Sequence, residues 1–163
     1  AAGQYTDFSA AGRCELALLR SACRGKAPFA DIRGVSEGLE HRLEAAVRTS
    51  TTYDELLDAL TTVRYPRARM RRLAMDAALG CTADSLPALP PYIHLLGGKK
   101  DALPFLKNCT LPVSHSLARL RGSGGASARM AEAQLAAADF GTLCRVSPEA
   151  MGGLLRQKNI FLT

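Results

Sequence analysis

Between Arg64 and Arg72 the chain places five guanidinium groups in nine residues, Arg64-Tyr65-Pro66-Arg67-Ala68-Arg69-Met70-Arg71-Arg72. A guanidinium is planar, permanently charged and able to hold a phosphate through two parallel hydrogen bonds. Gathered on one short rigid element, such groups form a docking site for a phosphate backbone. Tyr65, inside the run, offers a ring on which an unpaired base can stack. The candidate nucleic-acid contacts are therefore Arg64, Tyr65, Arg67, Arg69, Arg71 and Arg72. A competing reading pairs several of these arginines with Glu37, Glu40, Glu44 and Glu55 in an interhelical network and leaves the outer surface neutral.

Other residue types that do chemistry are present without the spacing that chemistry needs. Glu37 and Glu40 stand three apart, as paired acid/base carboxylates could, but near a helix start they read as dipole-complementing, Arg-pairing groups. His41, His94 and His115 are scattered, and His94 reads as a core or edge histidine on a short strand. The cysteines, Cys14, Cys23, Cys81, Cys109 and Cys144, contain no CxxC pair. They read as small buried hydrophobes in a reducing cytoplasm, with no zinc site. No P-loop, GxSxG or GxGxxG motif follows an apolar strand. Gly122-Ser123-Gly124-Gly125 lacks the lysine of a phosphate loop and reads as a hinge, and Lys99-Lys100 as a solvated turn. No catalytic residue and no metal ligand is assigned.

The elements that must position the arginines follow from periodicity. Leu16, Leu18, Leu19, Ala22 and Cys23 mark a buried stripe on a helix from Ser9 to about Arg24. Ser36 is expected to cap a second helix to about Arg48, with Gly38 inside it and Leu39, Leu43 and Val47 facing inward. Thr52 and Glu55 form a capping box for a short helix carrying Leu56, Leu57, Leu60 and Val63. Pro66 suits the first turn of the basic helix, 66–79, and Gly80 its C-terminal cap. Met70, Leu73, Ala74 and Ala77 are its core stripe. Arg67 and Arg71 share one flank; Arg69 and Arg72 share the other.

Past Gly80 the pattern changes. Leu86 to Pro91 reads as a stiff linker. Tyr92–Leu96 and Leu111–Val113 read as short strands around a helix at about 100–108 in which Pro104 forces a late start or a bend. Strand, helix, strand at this spacing implies a small parallel βαβ element. A helix from Ala126 to about Leu143 follows, then a short helix and an extended tail. The fold class is mainly α, a helical domain with a small two-stranded parallel βαβ element. Two domains are expected: 1–84, helical with the basic helix, and 85–163, the βαβ element plus C-terminal helices.

Composition agrees with a nucleic-acid partner. Lys and Arg total 21 against 15 Asp and Glu, a net charge of +6, and only five of the basic residues are lysine. At 163 residues, 47% hydrophobic and 22% charged, the chain is long enough for a real core and has the balance of a soluble globular protein. Its apolar runs are too short to cross a bilayer, and no signal peptide is read. Helices at 53–79 could mimic a helix-turn-helix. Pro66 in the turn and an Arg-rich second helix without Asn or Gln argue against DNA reading.

Three stretches together resemble one family. They are Val35-Ser36-Glu37-Gly38-Leu39-Glu40-His41-Arg42-Leu43, then Arg64 to Leu73 closing on Ala78-Leu79-Gly80, then Pro91-Tyr92-Ile93-His94-Leu95-Leu96-Gly97 with Leu111-Pro112-Val113 beyond. In order and spacing they resemble the C-terminal half of the tRNA(Met) cytidine acetate ligases, HIGH-type nucleotidyltransferase-like proteins. The chain departs from that pattern at Val63, at His94 and in the Gly97–Lys100 turn.

The resemblance implies a full enzyme that activates acetate with ATP and Mg as acetyl-adenylate. It then acetylates the wobble cytidine of elongator tRNA-Met. It implies that ATP binds an N-terminal nucleotidyltransferase domain carrying the HIGH-like motif, which no stretch here matches. The chain is accordingly expected to be a piece of a longer, cytoplasmic protein, inactive alone and without a cofactor of its own. Its expected partners are tRNA and that catalytic domain, with no membrane; a homodimer stays open. The alternative is a structural or oligomerisation domain that touches no RNA.

Overall fold

The computed structural model describes residues 5–85, 87–156 and 160–162. They divide between two compact units, Ala1–Asp84 with Phe140–Glu149, and Ser85–Asp139 with Ala150–Thr163.

The first unit packs four helices, α1 (Phe8–Ala22), α2 (Leu39–Thr49), α3 (Tyr53–Leu60) and α4 (Arg67–Ala78). Each forms where an apolar stripe meets a start signal. Asp7 caps α1, its carboxylate accepting from the amides of Ser9 (2.9 Å) and Ala10 (3.1 Å). Thr52 caps α3, its hydroxyl accepting from the amide of Glu55 (3.2 Å). The Glu55 carboxylate reaches back to the Thr51 amide and hydroxyl, 2.8 Å each, which closes the capping box one residue earlier than the motif suggests. Pro66 stands at the N-cap of α4 rather than in its first turn, and Gly80 past its end takes φ +66.

Several details differ from the sequence reading. α3 ends at Leu60, so Val63 lies outside it and is exposed, and Leu18 of α1 faces solvent rather than the core. Ser36 does not cap α2. Glu37 (φ +57) and Gly38 (φ +81) are both left-handed, and Gly38 is the N-cap with no side-chain bond. Gly38 is therefore not a packing glycine inside a helix. Glu37 stands outside α2, so Glu37 and Glu40 do not share a helix face.

The stripes meet in one core. Leu19, Leu43, Val47, Leu56, Leu60, Met70 and Ala74 are wholly buried, with Phe29 and Leu39 beside them. Met70, Leu73, Ala74 and Ala77 of α4 all face inward, as their spacing requires. Residues 140–149 join this unit: the Asp7 amide donates to the Cys144 carbonyl (2.8 Å) and the Val146 amide to the Tyr5 carbonyl (2.9 Å).

The second unit holds two parallel pairs. β1 (Ile93–His94) pairs with β3 (Val113–Ser114), Ile93 opposite Val113. This is the expected parallel pair, with β1 shorter at both ends and β3 starting two residues later and ending one later than expected. Its connection is a 3-10 helix, Lys100–Asn108, rather than an α-helix, because Pro104 removes an amide donor in mid-segment. Gly97-Gly98 does not simply end a strand. Gly97–Lys99 forms β2 and pairs in parallel with β4, Ile160–Leu162. Helices α5 (Leu117–Arg121), α6 (Gly125–Leu143) and α7 (Gly153–Arg156) complete the chain. α5 is absent from the sequence reading, and the last residues of α6 belong to the first unit. All five cysteines are free; Cys23 and Cys144 are buried, but Cys109 is exposed rather than buried. No helix among the described residues is long and apolar enough to cross a membrane.

Candidate nucleic-acid interface

The basic run sits on a turn and a helix start. Thr62 and Tyr65 exchange backbone hydrogen bonds (3.0 and 3.1 Å), and the Thr62 hydroxyl accepts from the Tyr65 amide (3.0 Å). This closes the turn that delivers Pro66. Because α4 buries Met70, Leu73, Ala74 and Ala77, its remaining surface must carry the arginines. Arg69, Arg71 and Arg72 are exposed and Arg67 is half-buried.

The five guanidiniums stand in different company. Arg67 is tied to two aspartates of α3, Asp54 (2.6 Å) and Asp58. Arg64 pairs with Glu37. Arg69 makes no ion pair among the described residues and lies over the Tyr65 ring, 5.0 Å from its centre; Arg64 lies over the same ring at 5.6 Å. Arg71 faces the Tyr53–Glu15 pair described below. Arg72 has no ion pair among the described residues and projects from the surface. The acidic network is thus partial, and its partners on Arg67 are Asp54 and Asp58 rather than Glu40, Glu44 or Glu55. Glu44 instead holds Arg48 (2.7 Å). Tyr65 is half-buried, with its hydroxyl on Glu37 (3.1 Å). Two guanidiniums cover the ring expected as a stacking platform.

A cleft of about 840 Å³ opens beside α4 within the first unit, between the first half of α1, the start of α3 and residues 140–144. Its floor holds a carboxylate that the periodicity argument overlooked. Glu15 is only 3% exposed and falls in the inward stripe Gly12, Glu15, Leu16, Leu19. A charged residue at an inward position was the available signal. The Tyr53 hydroxyl donates to it at 2.5 Å. α1 approaches Tyr53 so closely that a Cβ on Gly12 would stand 3.0 Å from the Tyr53 Cβ. Burial pushes the Glu15 carboxyl up to about 7, against the lowering effects of the Tyr53 hydroxyl and the Arg71 charge. Burial likewise raises the Tyr53 phenol, with the Glu15 bond adding to the rise.

His94 stands on β1 with its ring nitrogen 3.4 Å from the Gln134 amide, a structural contact. Among the described residues no three His, Cys, Asp or Glu side chains converge as a metal site. The glycine-rich turn only sets Gly124 and Gly125 at positive φ ahead of α6.

A family model described as HIGH Nucleotidyl Transferase matches residues 11–150. The tRNA(Met) cytidine acetate ligase of Acetivibrio thermocellus is 31% identical over 124 residues, covering 70% of this chain and 30% of that protein. The enzyme of the same name from Listeria monocytogenes serotype 4b is 29% identical over 125 residues, covering 74% and 30%. The chain therefore spans about a third of the length of the curated relatives it matches. Among solved structures, Thermotoga maritima TmcAL bound with alpha-thio ATP superposes with a TM-score of 0.77 at 21% identity, covering 96% of this chain and 42% of that one. The apo form gives 0.76 at 20%. That structural likeness establishes a shared fold, and the matched sequence model establishes kinship: the chain belongs to the HIGH nucleotidyl transferase family.

Proposed function

We propose that this chain is the tRNA-binding, C-terminal part of an ATP-dependent tRNA(Met) cytidine acetate ligase. In this reading ATP, Mg and the acetyl-adenylate chemistry belong to a partner nucleotidyltransferase domain, and the basic run Arg64–Arg72 holds the tRNA for it. Elongator tRNA-Met is the substrate and the wobble cytidine the acetylated base. The named relatives support the substrate class. One observation carries the binding role: Arg69 and Arg72 stand exposed along α4 without an ion pair among the described residues. Surface guanidiniums with no acidic partner form a positive track, and such a track positions a phosphate backbone without reading its sequence. Arg64 and Arg67 are a reserve. Their aspartate and glutamate partners are well exposed, and exposed pairs are worth only about 0–1 kcal/mol, so a phosphate can displace them.

The test is tRNA binding as a function of salt. Replacing Arg69 and Arg72 together with Ala should weaken binding at low salt and reduce the steepness of its salt dependence. Unchanged affinity and slope would leave the alternative, a structural domain without RNA contact. Residues 1–84 and 85–163 are proposed as the two working parts, the first carrying the docking helix.

A further inference from the structure

We propose that the cleft beside α4 receives one unpaired nucleotide of the bound RNA, its base on Phe8 and its phosphate between Arg13 and Arg71.

This deepens the tRNA-binding reading and rests on it. Four observations converge in the first unit. The cleft, about 840 Å³, lies in the range of small-ligand sites, which run to roughly 1,000 Å³. Phe8, in the first turn of α1, lines it while 78% exposed. A large ring left in water beside a cleft is an available stacking surface, unlike Tyr65, whose ring two guanidiniums already cover. Arg13 and Arg71 line the same cleft from α1 and α4, both exposed. Arg13 has no ion pair among the described residues, and Arg71 leans on the Tyr53 side chain and on the Glu15 charge at the floor. Arg13 only donates to the Ser9 hydroxyl at 2.7 Å.

The acidic groups facing the cleft do not oppose an anion strongly. Asp54 is engaged with Arg67. Glu15 is buried behind the Tyr53 hydroxyl, and burial raises its proton affinity, so near neutrality it carries a full negative charge in only part of the population. A ring, two exposed guanidiniums and a weakly charged hydrogen-bonding floor suit a nucleotide. A metabolite carboxylate would leave the ring unused, and an apolar ligand would leave the arginines unused. Arg71 precedes Arg72 on α4 and sits on the flank that lines the cleft, so a strand docked on Arg69 and Arg72 reaches the cleft by crossing the helix surface. That continuity points to a nucleotide held in an RNA strand rather than a free one.

The experiment titrates the full chain with a single-stranded RNA, a blunt duplex of the same sequence, and cytidine 5′-monophosphate, for Phe8→Ala, Phe8→Trp and the double variant Arg13→Ala, Arg71→Ala. Phe8 is exposed, so its replacement leaves the core intact. Phe8→Ala should weaken single-strand binding about tenfold, leave duplex binding unchanged and leave the salt slope unchanged; Phe8→Trp should restore affinity. The double arginine variant should lower the single-strand salt slope by about 1.4. An equal loss on strand and duplex, or no loss with Phe8→Ala, overturns the proposal. Tight binding of the mononucleotide at the affinity of the strand overturns the RNA-borne source. If the Arg69 and Arg72 replacements weaken tRNA binding while Phe8→Ala does nothing, only the cleft inference falls. If neither has an effect, the tRNA-binding reading falls with it.

Discussion

The two units of this chain are built on different terms. The first buries an unbroken set of side chains from four helices, seven of them with no exposed surface. The second gathers Tyr92, Leu117, Leu120, Ala131 and Leu135 around strands of two or three residues. In the first, neighbouring segments make the structure, each helix presenting a stripe to the next. In the second, it is made by pairings distant in sequence, Ile93 with Val113 and Gly97 with Ile160. A rigid helical core can hold charges at fixed spacing, and that is where the basic run and the cleft occur. The small core positions few side chains and carries no comparable cluster.

The strongest way to break this contrast is to damage the first core alone. Leu43→Ala removes a side chain with no exposed surface and should cost about 3 kcal/mol. Hydrogen exchange should show lost protection across α1 to α4, with the amides at Ile93 and Leu95 that bond to β3 retaining theirs. Simultaneous loss at those amides would mean the units unfold as one.

The next effect is electrostatic. Glu15 has its folded carboxyl near 7 against an ordinary value of 4.5. The folded chain therefore holds a proton that the unfolded chain has released between those two values. Stability is full below about 4.5 and falls as pH rises toward 7, by roughly 3 kcal/mol. Glu15→Gln keeps an acceptor for Tyr53 without the ionisation. Urea melts of this variant should lose the pH dependence in that window and show a higher midpoint at pH 8. A pH profile unchanged from the parent would remove Glu15 as the source.

Caps give a like-for-like comparison between the units. Thr52 caps α3 and Ser116 caps α5, the Ser116 hydroxyl accepting from the Arg119 amide at 3.3 Å. Each replaced by Ala should cost about 1 kcal/mol. The same increment should produce the larger loss of amide protection in the second unit, whose core is smaller. Equal losses would weaken the contrast. The smallest effect is expected at Glu37→Gln, which breaks the exposed pair with Arg64. It should change stability by less than about 0.5 kcal/mol while strengthening RNA binding slightly, since it releases a guanidinium. A fall in RNA affinity would count against Arg64 as a reserve contact.

Legibility in the sequence varied with range. The capping box at Thr52, the inward stripe of α4 and the left-handed Gly80 were readable because each depends on residues within a turn or two. The left-handed pair Glu37 and Gly38 was not, since nothing about a glutamate announces positive φ. Glu15 could have been noticed as a carboxylate in an apolar stripe, but its partner Tyr53 lies 38 residues away.

Sequence alone determined that α4 and the turn before it would carry five guanidiniums and that α4 would turn an apolar stripe inward, because charge and periodicity are local properties. Tertiary structure alone decided which of those guanidiniums are occupied. Asp54 and Asp58 reach Arg67 only because α3 packs beside α4, and Arg71 meets Tyr53 and Glu15 only because α1 packs there too. It also decided that Gly97–Lys99 would be a strand, since a backbone with no side-chain pattern becomes one only when a distant segment supplies its hydrogen bonds.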